Sequence, residues 1–108
     1  MYEYRCLVTR IVDGDTVELK VSLGFGMWFN THVRLAGLNA PEMSTGEPGA
    51  KSKAMLADML LEKQNVMVTT RKGREFEKYG RVLGTFTVEG VDVNQRMLDE
   101  GYAVPMNG

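Results

Sequence analysis

The chain has 108 residues, of which 44% are apolar and 25% are charged, and its formal net charge is −1. This length supports one domain with a single core and excludes a second. The near-neutral charge excludes nucleic-acid binding through overall basicity, so any such binding must rest on local clusters of charge. One cysteine and one histidine exclude an internal disulfide, a cysteine metal cluster and a multi-histidine zinc centre. Any metal site must therefore use oxygen ligands, as calcium and magnesium prefer.

The sequence contains no candidate membrane anchor. No apolar run reaches the length of a membrane span, and the opening MYEYRC lacks the hydrophobic core of a signal peptide. We therefore expect a cytoplasmic protein, or a secreted one if a leader has been removed.

The first third of the chain predicts three strands. RCLVTRIV (5–12) is rich in β-branched residues, and TVELKVSL (16–23) alternates apolar and polar residues as a half-buried strand does. DGD (13–15) between them is a tight-turn sequence, which predicts a hairpin. GFG (24–26) predicts the next turn, and a third strand follows near 27–38.

Large apolar side chains of these strands are expected in the core. The apolar face of the second strand carries Val17, Leu19, Val21 and Leu23. Burial also favours core positions for the aromatic residues of FGMWF, which are Phe25, Trp28 and Phe29. The alternative for this segment is that its aromatic rings stack on nucleic-acid bases.

The remaining chain predicts a helix, two strands and a second helix. EPGAKSKAMLADMLLEK (47–63) has Pro48 in its first turn, and apolar residues recur in it at helical spacing. These are Ala50, Ala54, Ala57 and Leu61, with Leu56 and Leu60 beside them. NVMVTTR (65–71) and RVLGTFTV (81–88) predict the fourth and fifth strands.

The closing helix is predicted from its capping residues. VNQRMLDEG (93–101) follows Asp92, which is placed to cap its first turn. Gln95 lies at capping-box distance, and Gly101 provides the stop signal.

This order of elements predicts the fold. Three strands, a helix and two strands match the five-stranded Greek-key barrel called the OB-fold, which has a helix between strands three and four. We therefore predict a mainly β, α+β fold in which residues 1–108 form a single domain with a short C-terminal helix. Such barrels often bind oligonucleotides, but the fold alone does not decide activity.

Two arginines occupy strand positions among apolar neighbours. Arg34 lies between Val33 and Leu35, so its side chain must leave the opposite face of the strand. Arg81 begins a strand whose apolar residues share the other face. Such positions hold a guanidinium rigidly, and its planar fork matches phosphate oxygens. Taken singly, each arginine could instead cover the barrel rim or pair with a carboxylate.

Oxygen ligands are concentrated in two short segments. DGDT supplies Asp13 and Asp15, whose simpler explanation is a common hairpin turn. NAPE supplies the Asn39 side-chain oxygen, the Ala40 carbonyl and the Glu42 carboxylate, and its proline fixes the local backbone. If the barrel brings these groups beside the two arginines, they form a hard-cation site with phosphate clamps and a spare carboxylate. Phosphodiester hydrolysis requires those components.

Three motifs resemble the staphylococcal nuclease-like (thermonuclease) family. They are VDGDTV (12–17), VRLAGLNAPE (33–42) and EKYGRVLG (77–84), and their order and spacing fit that family. The resemblance extends from about Arg5 to about Ala103, with the helix between the second and third motifs.

The resemblance implies a calcium-dependent nuclease that cleaves DNA and RNA with little sequence preference and leaves 3′-phosphate ends. By motif position, Arg34 and Arg81 would stabilise the pentacoordinate transition state, and Glu42 would be the general base for the attacking water. We further expect a monomer that prefers single-stranded substrates and has no membrane partner.

The same comparison by motif position suggests ligands and substrate contacts. Asp15, Asn39 and the Ala40 carbonyl would be the protein ligands of calcium. Lys78 and Tyr79 would contact the outer phosphate of the substrate.

Two departures from the family pattern affect these expectations. Asn39 stands where the family's best-known member has an aspartate, and a neutral amide should lower calcium affinity. The closing GYAVPMNG has no counterpart of the tyrosines that stack on a base in that nuclease. Tyr102 or the aromatic FGMWF segment could substitute for them.

Two other functions compete with the nuclease. One is a catalytically weak or inactive module of the same family that binds nucleic acid or protein. The presence of both arginines and Glu42 argues against it. The other is a different magnesium nuclease, suggested by ELK (18–20). That class needs an acid on a neighbouring strand, whereas here the upstream acids lie in the turn immediately before Glu18.

Overall fold

Two consecutive antiparallel hairpins form the largest part of the fold in the computed structural model, which describes residues 2–70 and 82–106. β1 (Tyr2–Asp13) pairs with β2 (Thr16–Gly24) across the DGD turn. β2 pairs in turn with β3 (Met27–Leu35). The turn between them has positive φ at three successive residues, 24–26, of which two are glycines that adopt it without strain. Both predicted hairpin turns are confirmed.

The third strand ends earlier than the predicted 27–38. It stops at Leu35, the chain turns through Gly37 at φ 81°, and β4 (Leu38–Asn39) follows as a separate short strand. Glycine accepts this left-handed backbone, so the turn separates the two strands. One turn of 3-10 helix (Met43–Thr45) then leads into the first α-helix.

The helix α1 (Glu47–Leu60) begins where the sequence predicts and has its proline in the first turn. It ends before the predicted Lys63, because Leu61 has extended backbone and forms a parallel bridge with Val8 of β1. The predicted apolar stripe was wrong at its start. Ala50 and Ala54 are exposed, and the buried residues are Gly49, Ser52, Leu56 and Leu60. Small residues at the start of the helix let it approach the turns beneath it.

The barrel closes through the last two long strands. β5 (Val66–Thr70) pairs with β1 and with β6 (Val82–Val88), both antiparallel. β6 then pairs in parallel with the end of β3, where Val33 lies opposite Val82 and Leu35 opposite Gly84. The predicted five-stranded α+β barrel is confirmed.

The C-terminal part packs against this barrel. β7 (Val91–Asp92) pairs with β6, and α2 (Val93–Asp99) follows. The Asp92 carboxylate accepts a hydrogen bond from the Gln95 backbone N–H at 2.9 Å, so the predicted cap is confirmed. The Gln95 side chain donates to Asp99 instead of reaching back to the cap, so only half of the predicted capping box forms. β8 (Val104–Pro105) ends the described chain and pairs with β4.

The aromatic hairpin tip does not lie in the core. Val17, Leu19 and Val21 are buried as predicted, but the prediction was wrong for Leu23, Phe25, Trp28 and Phe29, whose exposed fractions run from 51% to 103%. The reason is the course of β1, which pairs with β2 from Cys6 onward and with β5 before it. The tip of the β2–β3 hairpin therefore extends past the strands that could cover it.

Neither helix in residues 2–70 and 82–106 is long and apolar enough to cross a lipid bilayer.

Candidate active site

The centre of the site is Arg34, which lies near the end of β3. Its side chain leaves the strand on the face opposite the barrel interior and is nevertheless only 8% exposed. The guanidinium Nη1 donates to the Leu38 carbonyl at 3.0 Å. Its Nη2 donates to the Asp15 carboxylate at 3.3 Å and also to the Asn39 side-chain oxygen. The structure therefore brings together Asp15, Arg34 and Asn39.

Asp15 enters this cluster from the turn between β1 and β2, and it is also 8% exposed. Its Oδ2 accepts from Arg34 and from the Ala40 backbone N–H at 3.0 Å, while its Oδ1 accepts from the Thr16 hydroxyl at 3.1 Å. A buried carboxylate requires such a set of partners, because an unpaired charge in the interior is costly.

Close packing fixes the turn that carries Asp15. A Cβ added at Gly14 would overlap the Ser52 hydroxyl of α1, so only glycine lets the turn lie against the helix here. The Ser52 hydroxyl donates to the Tyr102 carbonyl at 2.9 Å, which ties α1 to the C-terminal segment. Asp13 accepts from the Met43 backbone N–H at 3.3 Å, which joins the same turn to the loop after β4.

The C-terminal segment also supports the strand of Asn39. In the β4–β8 pair, Asn39 lies opposite Val104. The Met106 backbone N–H donates to the Gly37 carbonyl at 3.0 Å, extending this contact by one residue. Asn39, a predicted calcium ligand, is therefore held on one side by Arg34 and on the other by β8.

Glu42 combines a fixed backbone with an exposed carboxylate. Its carbonyl accepts from the backbone N–H and the hydroxyl of Thr45, and a Cβ at Gly49 would overlap that same carbonyl oxygen. The side chain is exposed and makes no capping hydrogen bond to the 3-10 turn that it precedes. The loop thus presents the carboxylate to solvent from a main chain that is hydrogen-bonded and closely packed.

Three of the predicted site residues lie outside the described residues: Lys78, Tyr79 and Arg81. The described part resumes at Val82, whose strand runs beside β3 and places Leu83 opposite Arg34.

The oxygen donors of this cluster have the chemistry of a weak site for a hard cation. In the part of the chain described, no three acidic, cysteine or histidine side chains form a group that could hold a metal ion, and Asp15 is the one carboxylate in contact with Arg34 and the Ala40 N–H. Its Oδ2 and the Asn39 Oδ1 both contact one Arg34 nitrogen, which shows that the two oxygens converge. Oxygen donors suit calcium, and a low ligand charge predicts weak binding.

Sequence reasoning missed Asn94, which holds the surroundings of the site together. It is 5% exposed, and its side chain accepts from the Phe86 N–H at 3.0 Å. It also donates to the carbonyls of Ala36 at 3.0 Å and Gly84 at 3.1 Å. One signal was available, because Asn94 shares the buried face of α2 with Val93 and Met97. A polar residue on such a face must find buried partners.

Comparisons with known proteins identify the family of this chain. Residues 32–107 match the family model described as staphylococcal nuclease homologue. The chain is 32% identical to a micrococcal nuclease of Shigella flexneri, over 94% of this chain and 58% of that protein. It is 32% identical to the endonuclease YhcR of Bacillus subtilis, over 94% of this chain and 9% of that protein. It is 31% identical to the protein ParB of Escherichia coli, over 94% of this chain and 56% of that protein.

The chain thus spans little more than half of two of these relatives and a small part of the third. The family model covers Arg34 and Asn39, and the matches to the relatives, which leave out 6% of this chain, also include Asp15. This chain belongs to the staphylococcal nuclease homologue family.

Proposed function

We propose that the protein is a calcium-dependent nuclease that hydrolyses phosphodiester bonds of DNA and RNA with little sequence preference. The observation that carries this proposal is the convergence of Asp15, Arg34 and Asn39 next to the loop that presents Glu42. Support comes from the family and from two relatives whose names describe a nuclease and an endonuclease. We propose single-stranded substrates and 3′-phosphate products as the finer description.

Arg34 would bind and stabilise the reacting phosphate. Its guanidinium donates to the Leu38 carbonyl, to Asp15 and to Asn39, and its side chain is only 9% exposed, so its position is well defined. A rigid guanidinium matches a pentacoordinate phosphorane better than a mobile one, because no ordering is needed at the moment of reaction. Arg81 would supply the second guanidinium.

Glu42 would act as the general base. Its carboxylate would take a proton from a water molecule, whose oxygen forms a new bond to phosphorus while the bond from phosphorus to the 5′-oxygen breaks. The phosphate remains on the 3′-oxygen, and the 5′-oxygen leaves with a proton from solvent. A base for this step needs both access to water and a fixed direction, and the loop of Glu42 provides the two together.

Asp15, Asn39 and the Ala40 carbonyl would hold the calcium ion, which would supply positive charge for the phosphate when bound. The neutral Asn39 amide predicts that calcium at millimolar concentration is needed, within the range of about 10⁻⁴ to 10⁻³ M that weak sites show. Lys78 and Tyr79 would contact the outer phosphate.

The test is cleavage of single-stranded DNA across a calcium titration from micromolar to millimolar concentrations, with a parallel magnesium series. Cleavage that depends on calcium and is lost in Glu42→Gln is the expected result. Glu47→Gln is the matched control, because Glu47 is an exposed glutamate of the next turn that pairs with Lys51 instead. Asn39→Asp should lower the calcium concentration needed for half-maximal rate, because it adds a charged ligand.

Two results would contradict the proposal. Equal activity of Glu42→Gln and the parent protein would remove Glu42 as base. No cleavage at any calcium concentration, with DNA still retarded in a gel, would leave a binding module of the same family. The cytoplasmic location and the monomeric state stay predictions of the sequence alone.

A further inference from the structure

The outward face of the β2–β3 hairpin runs from the candidate site to the exposed aromatic tip. Side chains on this face alternate along each strand, so the cross-strand pairs that share it follow one another as rungs. From the site outward, the rungs are Thr16–Arg34, Glu18–His32, Lys20–Asn30 and Ser22–Trp28. We call the last three rungs the outer hairpin face. Arg34 and Trp28 are separated by six residues of one strand, or roughly 20 Å at about 3.3 Å per residue.

Two shallow depressions join along this face. One is lined by Leu7, Lys20, Trp28 and Asn30. The other includes Thr9, Glu18, Lys20, Asn30 and His32. Lys20 and Asn30 border both, so the two depressions adjoin, and we call them together the groove. Its Glu18–His32 end is the same-face rung next to Thr16–Arg34.

The groove can accept a polyanion because its one carboxylate is already compensated. Glu18 forms an ion pair with Arg10 of β1, and its carboxylate lies 3.6 Å from the His32 Nε2. Lys20 is exposed and pairs across the strands with the neutral Asn30. The charged side chains of this surface therefore sum to a positive balance, although the chain as a whole carries −1.

Trp28 presents its indole ring to solvent on the uncovered hairpin tip. It is 53% exposed at the far end of the groove, where an indole ring would normally be covered. Aromatic faces combined with basic side chains are how proteins hold single-stranded nucleic acids without sequence preference.

We propose that the outer hairpin face is an extended binding site for a single strand of DNA or RNA. The strand leaves the reacting phosphate at Arg34, its backbone passes Lys20, and a base stacks on Trp28. This inference rests on the proposed function for its direction, because continuity with the Arg34 site and charge complementarity select the occupant. It adds a site that holds substrate several nucleotides away from the bond that is cut.

The opposite face of the same hairpin supplies the matched control. Phe29 adjoins Trp28 on β3 and is 55% exposed, but it borders the apolar mouth of the barrel together with Leu23 and Tyr4. A nucleic acid on the outer face would touch Trp28 and leave Phe29 untouched. A protein partner, or a second copy of this chain covering the apolar tip, would depend on both.

The experiment measures binding with the full chain carrying Glu42→Gln, so that substrate stays intact. Trp28 is the single tryptophan of the chain, so its fluorescence reports directly on this site. We expect quenching by an oligothymidylate of about twelve nucleotides, a length within the range that one such barrel covers, and little quenching by a dinucleotide. Because the Trp28 variants lack this reporter, their binding is measured by the fluorescence anisotropy of a dye-labelled strand, beside the parent. Trp28→Ala should weaken binding of the longer strand by about 5- to 150-fold, and Trp28→Phe should restore most of it.

Two further variants sharpen the result. Phe29→Ala should bind the longer strand as the parent does. Lys20→Gln should reduce the slope of log affinity against log salt by about 0.7, the loss of one phosphate contact on a single strand.

Unchanged affinity in Trp28→Ala, or an equal loss in Phe29→Ala, would overturn the inference. Fluorescence that changes with protein concentration alone would assign the tip to a second copy and overturn it as well. Failure of the proposed function is separately visible. If the protein does not cleave DNA but its binding depends on Trp28, the proposed nuclease function is wrong and the binding site stands. If it cleaves DNA but its binding does not depend on Trp28, the nuclease function stands and the binding site is wrong.

Discussion

The two ends of the β2–β3 hairpin reverse the usual relation between side-chain chemistry and burial. At the end near Thr16, the charged pair Asp15 and Arg34 is buried, each residue being 8% exposed. At the other end, Phe25 is fully exposed and Trp28 about half exposed. Charged residues are normally found outside and large aromatic residues inside.

The two ends of the hairpin therefore differ in what their side chains contribute to folding. Buried charges need a complete set of partners. The end of the hairpin near Thr16, which we call the closed end, provides them through the Leu38 carbonyl, the Ala40 N–H and the Thr16 hydroxyl. The aromatic side chains at the other end are more than half exposed, so their burial contributes less to folding than that of a core residue. Sites where local rules fail in this way are expected to be functional. We propose a phosphate site at the closed end and a stacking surface at the open end, near Phe25.

The largest expected effect comes from breaking the closed end. Arg34→Ala would leave the Asp15 carboxylate buried without its cation, so the free energy of unfolding should fall by about 3–5 kcal/mol. Arg10→Ala is the matched control, because this arginine also pairs with a carboxylate but its side chain is 64% exposed. It should lower the free energy of unfolding by about 0–1 kcal/mol. Denaturant unfolding of both variants measures the difference, and equal values would show that the closed end is not sealed from water.

A smaller effect is expected from Asn94, which joins α2 to β6 and to the turn after β3. Asn94→Ala removes the side chain that pairs with the Phe86 N–H and the Ala36 carbonyl. The Gly84 carbonyl loses one of its two donors and keeps the Ala36 N–H at 2.8 Å. Since each unsatisfied buried group costs about 1–3 kcal/mol and water can replace part of the loss, we expect about 2–3 kcal/mol. Gln95→Ala, on the exposed face of the same helix, should stay within about 0.5 kcal/mol. Similar thermal midpoints for the two variants would contradict this role.

Local sequence rules predicted the parts of the fold that depend on neighbouring residues. The DGD and GFG turns, the Asp92 cap and the start of α1 at its proline are decided within a few residues, and all four are confirmed. The convergence of Asp15 with Arg34 and Asn39 also follows from strand order, because a hairpin places the start of β2 opposite the end of β3.

Features that depend on distant pairing could not be predicted in the same way. The exposure of Phe29 follows from the point at which β1 changes partner from β2 to β5, and no local pattern marks that point. The buried face of α1 was misjudged because Gly49 and Ser52 are not apolar, yet their small size permits close contact with the Glu42 loop and the Gly14 turn. The roles of Lys78, Tyr79 and Arg81 stay predictions.

The smallest expected effect concerns the thiol of Cys6 in β1, beside the part of the hairpin where buried side chains give way to exposed ones. Cys6 pairs with Val21, which pairs on its other side with the exposed Phe29, so the three residues lie in one row across the sheet. Cys6 itself is 5% exposed. Burial raises the pKa of its thiol from 9.0 to about 12. Because the folded pKa is the higher one, the stabilising contribution is complete below about pH 9 and is lost as pH rises toward 12.

Denaturant unfolding of the parent protein and of Cys6→Ala at several pH values tests this boundary. Relative to the variant, the parent should lose about 1.4 kcal/mol of unfolding free energy by pH 10, because one proton is released on unfolding over that interval. Below pH 8 the difference between the two proteins should be constant, and a thiol reagent should label Cys6 only after unfolding. Rapid labelling of the native protein, with no pH-dependent difference, would mean that water reaches the Cys6 thiol in the folded state. The open end of the hairpin would then extend into the barrel itself.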